Sequence, residues 1–340
     1  IPDLTISLSG NNKIATRNAA GLLFQLNTTI TGAKGMLTVQ TEGPSAIWLS
    51  DGTLTIADTN LELSGDQAIE GARLTTQIDI RRATVSMTAQ SSFGVIYCVG
   101  DFNLQGCRVV EPLGGSWNSI THELAKRAKK VRIEPTYDFS IAGVLVTPAN
   151  AGKLNEIPGV TVPDGGELKY DPATNTLSMK DETIKLDTEE LKGKIAIYNE
   201  KQANLKIAVS GNNEITVKDA DGLHFKAATS IEGDGTLKLH ATNSAVWTDA
   251  TLTFTDVTLS SDGNWGLAGD NGTQGELIIN DATVNAKGIE WAIGNFKTFT
   301  LNGCTIVAPA AGGWDDAQHA IMDGSEKAKE VAIAPYLFSL

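Results

Sequence analysis

The chain has 340 residues, of which 41% are hydrophobic, and a formal net charge of −13. That length predicts two domains of ordinary size, each with its own core. The charge is uneven, since residues 1–135 hold 12 basic and 12 acidic side chains and residues 136–340 hold 15 and 28. An acidic surface argues against nucleic acid and anionic lipid as partners. No stretch approaches the ~20 apolar residues of a membrane span, so we expect no membrane insertion.

The chain contains one module twice. LTISLSGNNKI at residues 4–14 returns as LKIAVSGNNEI at residues 205–215, and FNLQGC at residues 102–107 returns as FTLNGC at residues 299–304. VRIEP at residues 131–135 returns as VAIAP at residues 331–335. The register between the copies drifts by only a few residues, which indicates small loop insertions. We therefore predict two tandem modules, residues 1–135 and 201–340.

A shorter period runs inside each module. Apolar–polar–apolar triplets recur roughly every two dozen residues, as in LTI at 54–56, IDI at 78–80 and FNL at 102–104. Such alternation is typical of half-buried strands, and the Asn, Asp, Gly and Thr residues between the triplets are typical of turns. No sustained helical periodicity interrupts them. A strand–turn unit of this size buries its apolar face only by stacking on copies of itself.

A second series of apolar residues falls between these strands. Leu22, Ile47, Ile69 and Val95 each follow Gly or Ala in the first module, and Leu223, Val246, Leu267 and Ile293 do so in the second. One apolar residue at the same place in every coil favours an all-β fold of two right-handed parallel β-helices, or solenoids. A β-sandwich is the alternative, because its strands also come at short intervals.

Residues 136–200 differ from both modules and predict a β-rich cap for the second one. YDFSIAGVLV at residues 137–146 and GELKYDPATNTLSM at residues 166–179 each have the pattern of a hairpin. A cap would cover the open edge of the solenoid. Near the end of each module, residues 119–130 and 317–329 are interpreted as short helices or polar loops. Residues 336–340 repeat the start of the cap, so we expect another cap to begin there.

The three cysteines are Cys98, Cys107 and Cys304. Cys107 and Cys304 are equivalent in the two modules, which predicts a small buried residue in a stack. Their number and spacing match neither a disulfide framework nor a zinc site. A Cys98–Cys107 bridge is the alternative.

Several motifs resemble those of a known group of proteins. They are GVLVTPAN at residues 143–150, YDPATNTL at residues 170–177, the Ser-Gly-Asn-Asn start of each solenoid, and TTITG at residues 28–32 with its counterpart TSIEG at residues 229–233. The chain resembles secreted β-helix proteins of gut Bacteroidetes, many described as carbohydrate-binding-domain-containing. The resemblance implies a pectate-lyase-like right-handed β-helix on or outside the cell envelope. It brings no catalytic residues to carry over.

The sequence offers little for catalysis or metal binding. Glycoside hydrolases need two carboxylates flanking the scissile bond, and no such cluster is visible in the pattern. Asp249, Asp256 and Asp281 fall at inferred turns, and Arg81-Arg82 becomes Asn280-Asp281 in the second copy. Asp262, Asn264 and Asp270 are the only calcium candidates, but their loop matches no known calcium motif, which favours plain turns. We expect no cofactor and no enzymatic activity.

Aromatic residues are the better guide to function, because flat rings bind sugar faces and they make up only 6% of the chain. Trp48 and Trp247 hold the same place in the two modules, each directly after an inward residue, so alternation points both outward. His224 has the matching position one coil before Trp247. These three residues are the predicted carbohydrate-binding side chains. The alternative is that the tryptophans cover a hydrophobic corner or contact the cap.

We therefore expect a secreted or cell-surface protein that binds a polysaccharide or a host or cell-surface glycan without cleaving it, and that acts as a monomer. An export or anchoring segment is expected in the natural protein outside these residues. Two alternatives stay open: a polysaccharide lyase or glycoside hydrolase, and a purely structural spacer.

Overall fold

The structure, a computed structural model, describes residues 3–112 and 114–336 and is an all-β solenoid of about 12 turns. The predicted fold class is confirmed, and parallel pairing between successive coils excludes the β-sandwich. The chain divides into two compact units, Ile1–Thr136 and Tyr137–Leu340, one residue from the predicted end of the first module.

The described residues of unit 1 form seventeen short strands. In chain order they are β1 Leu4–Ser7, β2 Asn11–Arg17, β3 Leu22–Phe24, β4 Thr28–Thr31, β5 Met36–Glu42, β6 Ile47–Leu49, β7 Thr53–Ala57, β8 Asn60–Gly65, β9 Ile69–Gly71, β10 Gln77–Arg81, β11 Thr84–Ala89, β12 Ile96–Tyr97, β13 Asp101–Gln105, β14 Cys107–Glu111, β15 Trp117–Asn118, β16 Glu123–Leu124 and β17 Lys130–Pro135.

Three sheets run along unit 1, one strand from each coil. Sheet 1 is β1-β4-β7-β10-β13, sheet 2 is β2-β5-β8-β11-β17-β14 and sheet 3 is β3-β6-β9-β12. Pairing within sheets 1 and 3 is parallel, as is the pairing from β2 to β11. Each coil therefore contributes three strands and turns two corners before the next coil begins.

Unit 2 repeats this plan with longer strands and a cap. In chain order its strands are β18 Phe139–Ile141, β19 Val144–Leu145, β20 Val160–Thr161, β21 Glu167–Asp171, β22 Thr176–Lys180, β23 Thr183–Leu186, β24 Ile197–Asn199, β25 Leu205–Ser210, β26 Asn212–Val217, β27 Leu223–Phe225, β28 Thr229–Glu232, β29 Thr236–Ala241, β30 Ser244–Thr248, β31 Thr251–Thr255, β32 Thr258–Gly269, β33 Glu276–Asn280, β34 Thr283–Gly294, β35 Thr298–Asn302, β36 Cys304–Ala308, β37 Gly313–Asp315, β38 Ala320–Asp323, β39 Glu326–Lys327 and β40 Glu330–Pro335.

Sheet 1 of unit 2 is β21-β22-β25-β28-β31-β33-β35. Sheet 2 runs through β23, β26 and β29, and sheet 3 through β24, β27 and β30. The twelve-residue strands β32 and β34 each run from sheet 2 into sheet 3, so the two sheets merge into one 16-stranded sheet. Among the described residues the one helix is the 3-10 turn Leu154–Glu156.

Like residues stack in rows inside each unit, because parallel strands place equivalent residues about 4.8 Å apart. In sheet 1 of unit 1, Ile30, Ile56 and Ile80 are register partners and are fully buried. Each such side chain contributes about 1.5–3 kcal/mol when it is removed from water. In sheet 3 the partner of Ile69 is Ile96, so the predicted row was right except for Val95, which lies one residue earlier.

The corner between sheets 1 and 2 takes a left-handed residue in most coils. This conformation is costly for side chains other than Gly, Asn and Asp. The corner positions are Gly10, Asp58, Arg82 and Gly106 in unit 1 and Asp181, Gly211, Asp256, Asp281 and Gly303 in unit 2, all with φ between 45° and 66°. Asp256 and Asp281 are therefore turn residues, as predicted, and Asp58 is a turn residue at the equivalent corner.

Arg82 is the exception in this corner series, and it is tied to the coil below. Its guanidinium donates to both carboxylate oxygens of Asp58 at 2.8 and 2.9 Å. This hydrogen bond and the charge of Asp58 raise the pKa of Arg82. The exchange of Arg81-Arg82 for Asn280-Asp281 thus replaces one residue type by another at a structural corner position.

The repeated Ser-Gly-Asn-Asn motif joins two coils at this corner. The second asparagine, Asn213, donates from its amide to Ser210 O at 2.9 Å and to Thr236 O at 3.2 Å in the next coil. Asn12 makes the same pair of bonds, to Ser9 O and Met36 O, each at 3.2 Å. The motif that marks each module is therefore structural.

The cap of unit 2 covers the sheets with antiparallel strands. β21 pairs with β22, β20 with β23, and β18 with β24. Both predicted hairpins are present: β18 with β19, and β21 with β22. Parallel pairing already begins at β22–β24, so residues 136–200 contain the first solenoid coil as well as the cap.

The motifs that carried the resemblance shape this cap. Asp171 accepts from the Ala173 backbone and the Thr174 hydroxyl, both at 2.9 Å, and Asn150 accepts from the Thr147 backbone at 2.8 Å. Tyr170 donates its hydroxyl to an amide oxygen in the same hairpin, and burial raises its pKa to about 12. These hydrogen bonds stabilise turns, so the shared motifs have a structural role in the cap.

The last strand of each unit ends the parallel order of sheet 2. β17 inserts between β11 and β14 and is antiparallel to both. β40 inserts between β34 and β36 in the same way, with Pro335 opposite Cys304 just as Pro135 is opposite Cys107. The repeated Val-Xaa-Ile-Xaa-Pro sequences form these inserted antiparallel strands, β17 and β40.

The structure decides between the alternatives for the module-end segments and for the cysteines. Residues 119–130 and 317–329 form loops with short antiparallel strands and no helix. Cys107 and Cys304 are buried as predicted, and no disulfide joins the three cysteines. The repeat of the cap sequence at residues 337–340 lies outside the described residues.

Among the described residues of unit 2, Glu182 is the one fully buried carboxyl group, and it lies at the capped end. It is fully buried, and neither carboxylate oxygen has a hydrogen-bond partner. It directly precedes β23, beside Asn213 of the next coil, which accepts from the Glu182 backbone at 3.3 Å. Burial disfavours the charged form and raises the pKa of Glu182 from its ordinary value of 4.5 to about 8.

Glu182 should make unit 2 less stable as the pH rises. Between about 4.5 and 8 the folded state keeps a proton that the unfolded state loses, so the free energy of unfolding falls by up to ~1.4 kcal/mol per pH unit. Glu182→Gln should remove most of that slope, measured by urea unfolding from pH 5 to 8. Glu214→Gln, an exposed neighbour on β26, is the matched control. An unchanged slope in Glu182→Gln would show that the group is charged in the core.

Candidate functional site

A row of aromatic rings crosses five successive coils on the outer surface of sheet 3 in unit 2. We call Tyr198, His224, Trp247, Trp265 and Trp291 the aromatic row. Tyr198, His224 and Trp247 are direct register partners on β24, β27 and β30. Each follows a buried residue of the inward row, so strand alternation turns it outward. The prediction that His224 and Trp247 are neighbours is confirmed.

The rings contact one another along the whole row. Successive centroid distances are 5.4, 6.3, 6.2 and 5.7 Å from Tyr198 to Trp291. The interplanar angles alternate between steep and shallow, at 84°, 37°, 66° and 41°. Edge-to-face and tilted pairs of this kind add roughly 0.5–1.5 kcal/mol each. All five side chains are partly exposed.

Trp265 and Trp291 reach the row from a different backbone position. The register partners of Trp247 on the next coils are Ala268 and then Gly294. The two indoles come from three residues earlier, at the bend where β32 and β34 pass from sheet 2 to sheet 3. A Cβ on Gly294 would lie 2.9 Å from the Trp291 ring, so the indole lies over this glycine. Small residues thus leave room for the rings at this bend.

Two aspartates hold the middle of the row. Asp221 accepts from His224 Nδ1 at 3.0 Å and from the Ser244 backbone at 3.0 Å. Asp249 accepts from Trp247 Nε1 at 2.7 Å, and its other oxygen lies 3.9 Å from His224 Nε2. The His224 ring therefore stands between two carboxylates, with only 18% of its side chain exposed. These contacts fix the orientation of both rings.

Several polar atoms along the row have no hydrogen-bond partner. They are His224 Nε2, Ser244 Oγ, Trp265 Nε1 and Trp291 Nε1, all buried. Leaving a buried donor or acceptor unsatisfied costs about 1–3 kcal/mol. Aliphatic side chains would fill these positions without that cost. The row therefore carries an energetic cost that aliphatic side chains would not.

Lysines lie at the two ends of the row. Lys226 Nζ is 5.9 Å from the centroid of Tyr198, and Lys327 Nζ is 4.3 Å from that of Trp291. Cation–π contacts of this kind contribute about 0.5–1 kcal/mol at exposed sites. They mark where the aromatic surface begins and ends.

Unit 1 has a different surface at the same place. Trp48 lies on β6 with Leu23 before it and Glu70 after it, and the next coil carries Tyr97. Trp48 is partly exposed and points outward, as predicted. The positions of Asp221 and Asp249 correspond to Ala20 and Ser50, so unit 1 lacks both carboxylates. The two modules share a fold and differ in this face.

The calcium candidates each make local bonds. Asp262 lies within β32, in place of the predicted turn, and its carboxylate is 3.1 Å from His240 Nδ1. The Asn264 backbone donates to Asn243 O at 2.7 Å, and Asp270 accepts from the Thr273 hydroxyl at 3.0 Å in a turn. In residues 3–112 and 114–336, no three His, Cys, Asp or Glu side chains converge as metal ligands.

Sequence reasoning located the centre of the site and missed its extent. Tyr198 follows the inward residue Ile197 just as His224 follows Leu223, so the same rule applied one coil earlier would have found it. Asp221 and Asp249 carry no periodic signal, because they lie in turns beside the row. The placement of Trp265 and Trp291 depends on a bend that alternation does not describe.

Comparison of the chain with protein-family models, with curated proteins and with solved structures finds no match. In the described part of the chain, no helix is long and apolar enough to cross a membrane.

Replacing Trp265 by Phe should leave unit 2 as stable as before or slightly more stable, because the change removes an unsatisfied indole N–H. Trp247→Phe is the matched control, since its N–H is bonded to Asp249. That control should lose about 1–3 kcal/mol by leaving a carboxylate without its donor. Thermal unfolding of the two variants measures the difference. A larger loss for Trp265→Phe than for Trp247→Phe would contradict this account.

Proposed function

We propose that this protein is a non-enzymatic glycan-binding or adhesion protein that works outside the cell or on its surface, and that the aromatic row of unit 2 is its binding surface. The observation that carries the proposal is the continuous line of five partly exposed rings over five coils. The resemblance to secreted β-helix proteins of gut Bacteroidetes is consistent with this setting.

The chemistry of the row suits a carbohydrate. Pyranose rings present apolar C–H faces that pack on aromatic side chains, while their hydroxyls need polar partners at the rim. Asp221, His224 and Asp249 supply carboxylate and imidazole groups at the rim of Trp247. A stack of rings with a purely structural role would not need these polar groups at its rim.

The acidic charge favours a neutral ligand. Residues 136–340 hold 28 acidic and 15 basic side chains, so a polyanionic glycan would be repelled. A neutral polysaccharide meets no such barrier and gains from the stacking contacts.

Trp247→Ala should abolish binding on an array of neutral and acidic polysaccharides, because it removes the ring at the centre of the row. The measurement is binding to the array by wild-type protein and variant, with titration calorimetry on each hit. Trp48→Ala, at the equivalent position of unit 1, is the control and should bind as the wild type does.

Three results would count against the proposal. Wild-type protein that binds no glycan would favour the structural spacer. Equal loss in Trp48→Ala would place the site elsewhere. Binding unchanged in folded Trp247→Ala would make this tryptophan a packing residue.

Polysaccharide cleavage is a second candidate, favoured by one observation: Asp221 and Asp249 flank His224 within the row. Glycosidases use a pair of carboxylates around the scissile bond. Here both carboxylates are already engaged by ring N–H groups or backbone, which favours positioning over acid–base chemistry. If this second candidate holds, wild-type protein should release reducing ends from a bound glycan and Asp249→Asn should not. Binding without release supports the non-enzymatic proposal.

A further inference from the structure

We infer that the ligand of the aromatic row is an extended, unbranched, neutral β-1,4-linked polysaccharide lying along the solenoid axis with one sugar over each coil. This inference rests on the proposed function and adds the linkage, direction and length of the bound chain. It depends on three independent features: the spacing of the rings, their number, and the charge of unit 2.

The spacing of the row is set by the backbone. Adjacent coils are about 4.8 Å apart, because that is the distance between hydrogen-bonded strands. The ring centroids follow at 5.4–6.3 Å because the rings are tilted against one another. This repeat is close to the length that one β-1,4-linked pyranose adds to an extended chain. An α-1,4-linked glucan curves into a helix and departs from the line of successive coils after a few sugars.

The row is also finite. Five coils contribute one ring each, from Tyr198 to Trp291, and a lysine lies over the ring at either end. A chain of five sugars therefore reaches every ring, and its terminal hydroxyls meet ammonium donors. Longer chains gain no further aromatic contact on this row.

The experiment compares oligosaccharides that differ in linkage and length. Cello-, manno- and xylo-oligosaccharides of two to six sugars are titrated into the wild-type protein by calorimetry, beside malto-oligosaccharides of the same lengths. Cello- and malto-oligosaccharides contain the same glucose units and differ in linkage. We expect at least one β-1,4 series to gain about two- to tenfold in affinity per sugar, the worth of one aromatic contact, and to level off at five.

A shortened row tests the position of each sugar. In Trp291→Ala the gain should level off at four sugars, with the affinity for the disaccharide nearly unchanged. Tyr198→Ala shortens the row from the other end and should behave alike, which covers the case where Trp291→Ala fails to fold. Circular dichroism checks the fold of both variants.

The outcomes separate the two proposals. Binding of an array glycan that needs Trp247, without length dependence in any β-1,4 series or with equal affinity for the malto-series, would overturn this inference and leave the proposed function standing. Absence of all glycan binding would overturn both. A plateau that does not move in either shortened variant would show that the chain crosses the row instead of following it.

Discussion

The parallel hydrogen bonding between coils is the constraint from which the rest of this structure follows. It fixes one distance between neighbouring coils and one register, so whatever stands at a position in one coil stands beside its equivalent in the next. Inside, this makes rows of isoleucine and leucine such as Ile30, Ile56 and Ile80. Outside, it lines up whatever side chains the surface carries. Aromatic residues at the equivalent outward position of successive coils therefore form a continuous row.

Parallel pairing also requires a specific structure at each end of the stack, because an exposed parallel strand can always pair with a further one. Unit 2 closes its first coil with antiparallel strands and closes the last with β40, which lies between two strands that would otherwise pair. Unit 1 uses β17 in the same way. Two different devices therefore terminate the solenoid: a cap laid over the edge, and a strand inserted before it.

The fold was predictable because its determinants are local and repeated. Alternation gives the strands, and the left-handed corner restricts each turn to a few residue types, so Asp58, Asp256 and Asp281 are recognisable in the sequence. The insertion of β17 and β40 was not, because VRIEP and VAIAP have the alternation of any strand and nothing in it gives direction or partner. At the site, Trp247 and His224 follow from alternation, whereas Trp265 and Trp291 depend on the bend in β32 and β34 and on the space above Ala268 and Gly294. Asp221 and Asp249 are ordinary turn residues until the coils are stacked.

The inserted strand also sets an order of events for a newly made chain. Sheet 2 of unit 2 cannot be completed until residues Glu330–Pro335 have left the ribosome, because β40 supplies hydrogen bonds to both β34 and β36. Until then the edge of β34 stays open, and the coils before it can zip together from the cap onward. Unit 2 can therefore fold from the cap towards β40 while the chain is being made. In each unit the final inserted strand, β17 or β40, fixes the point at which the parallel order of sheet 2 stops.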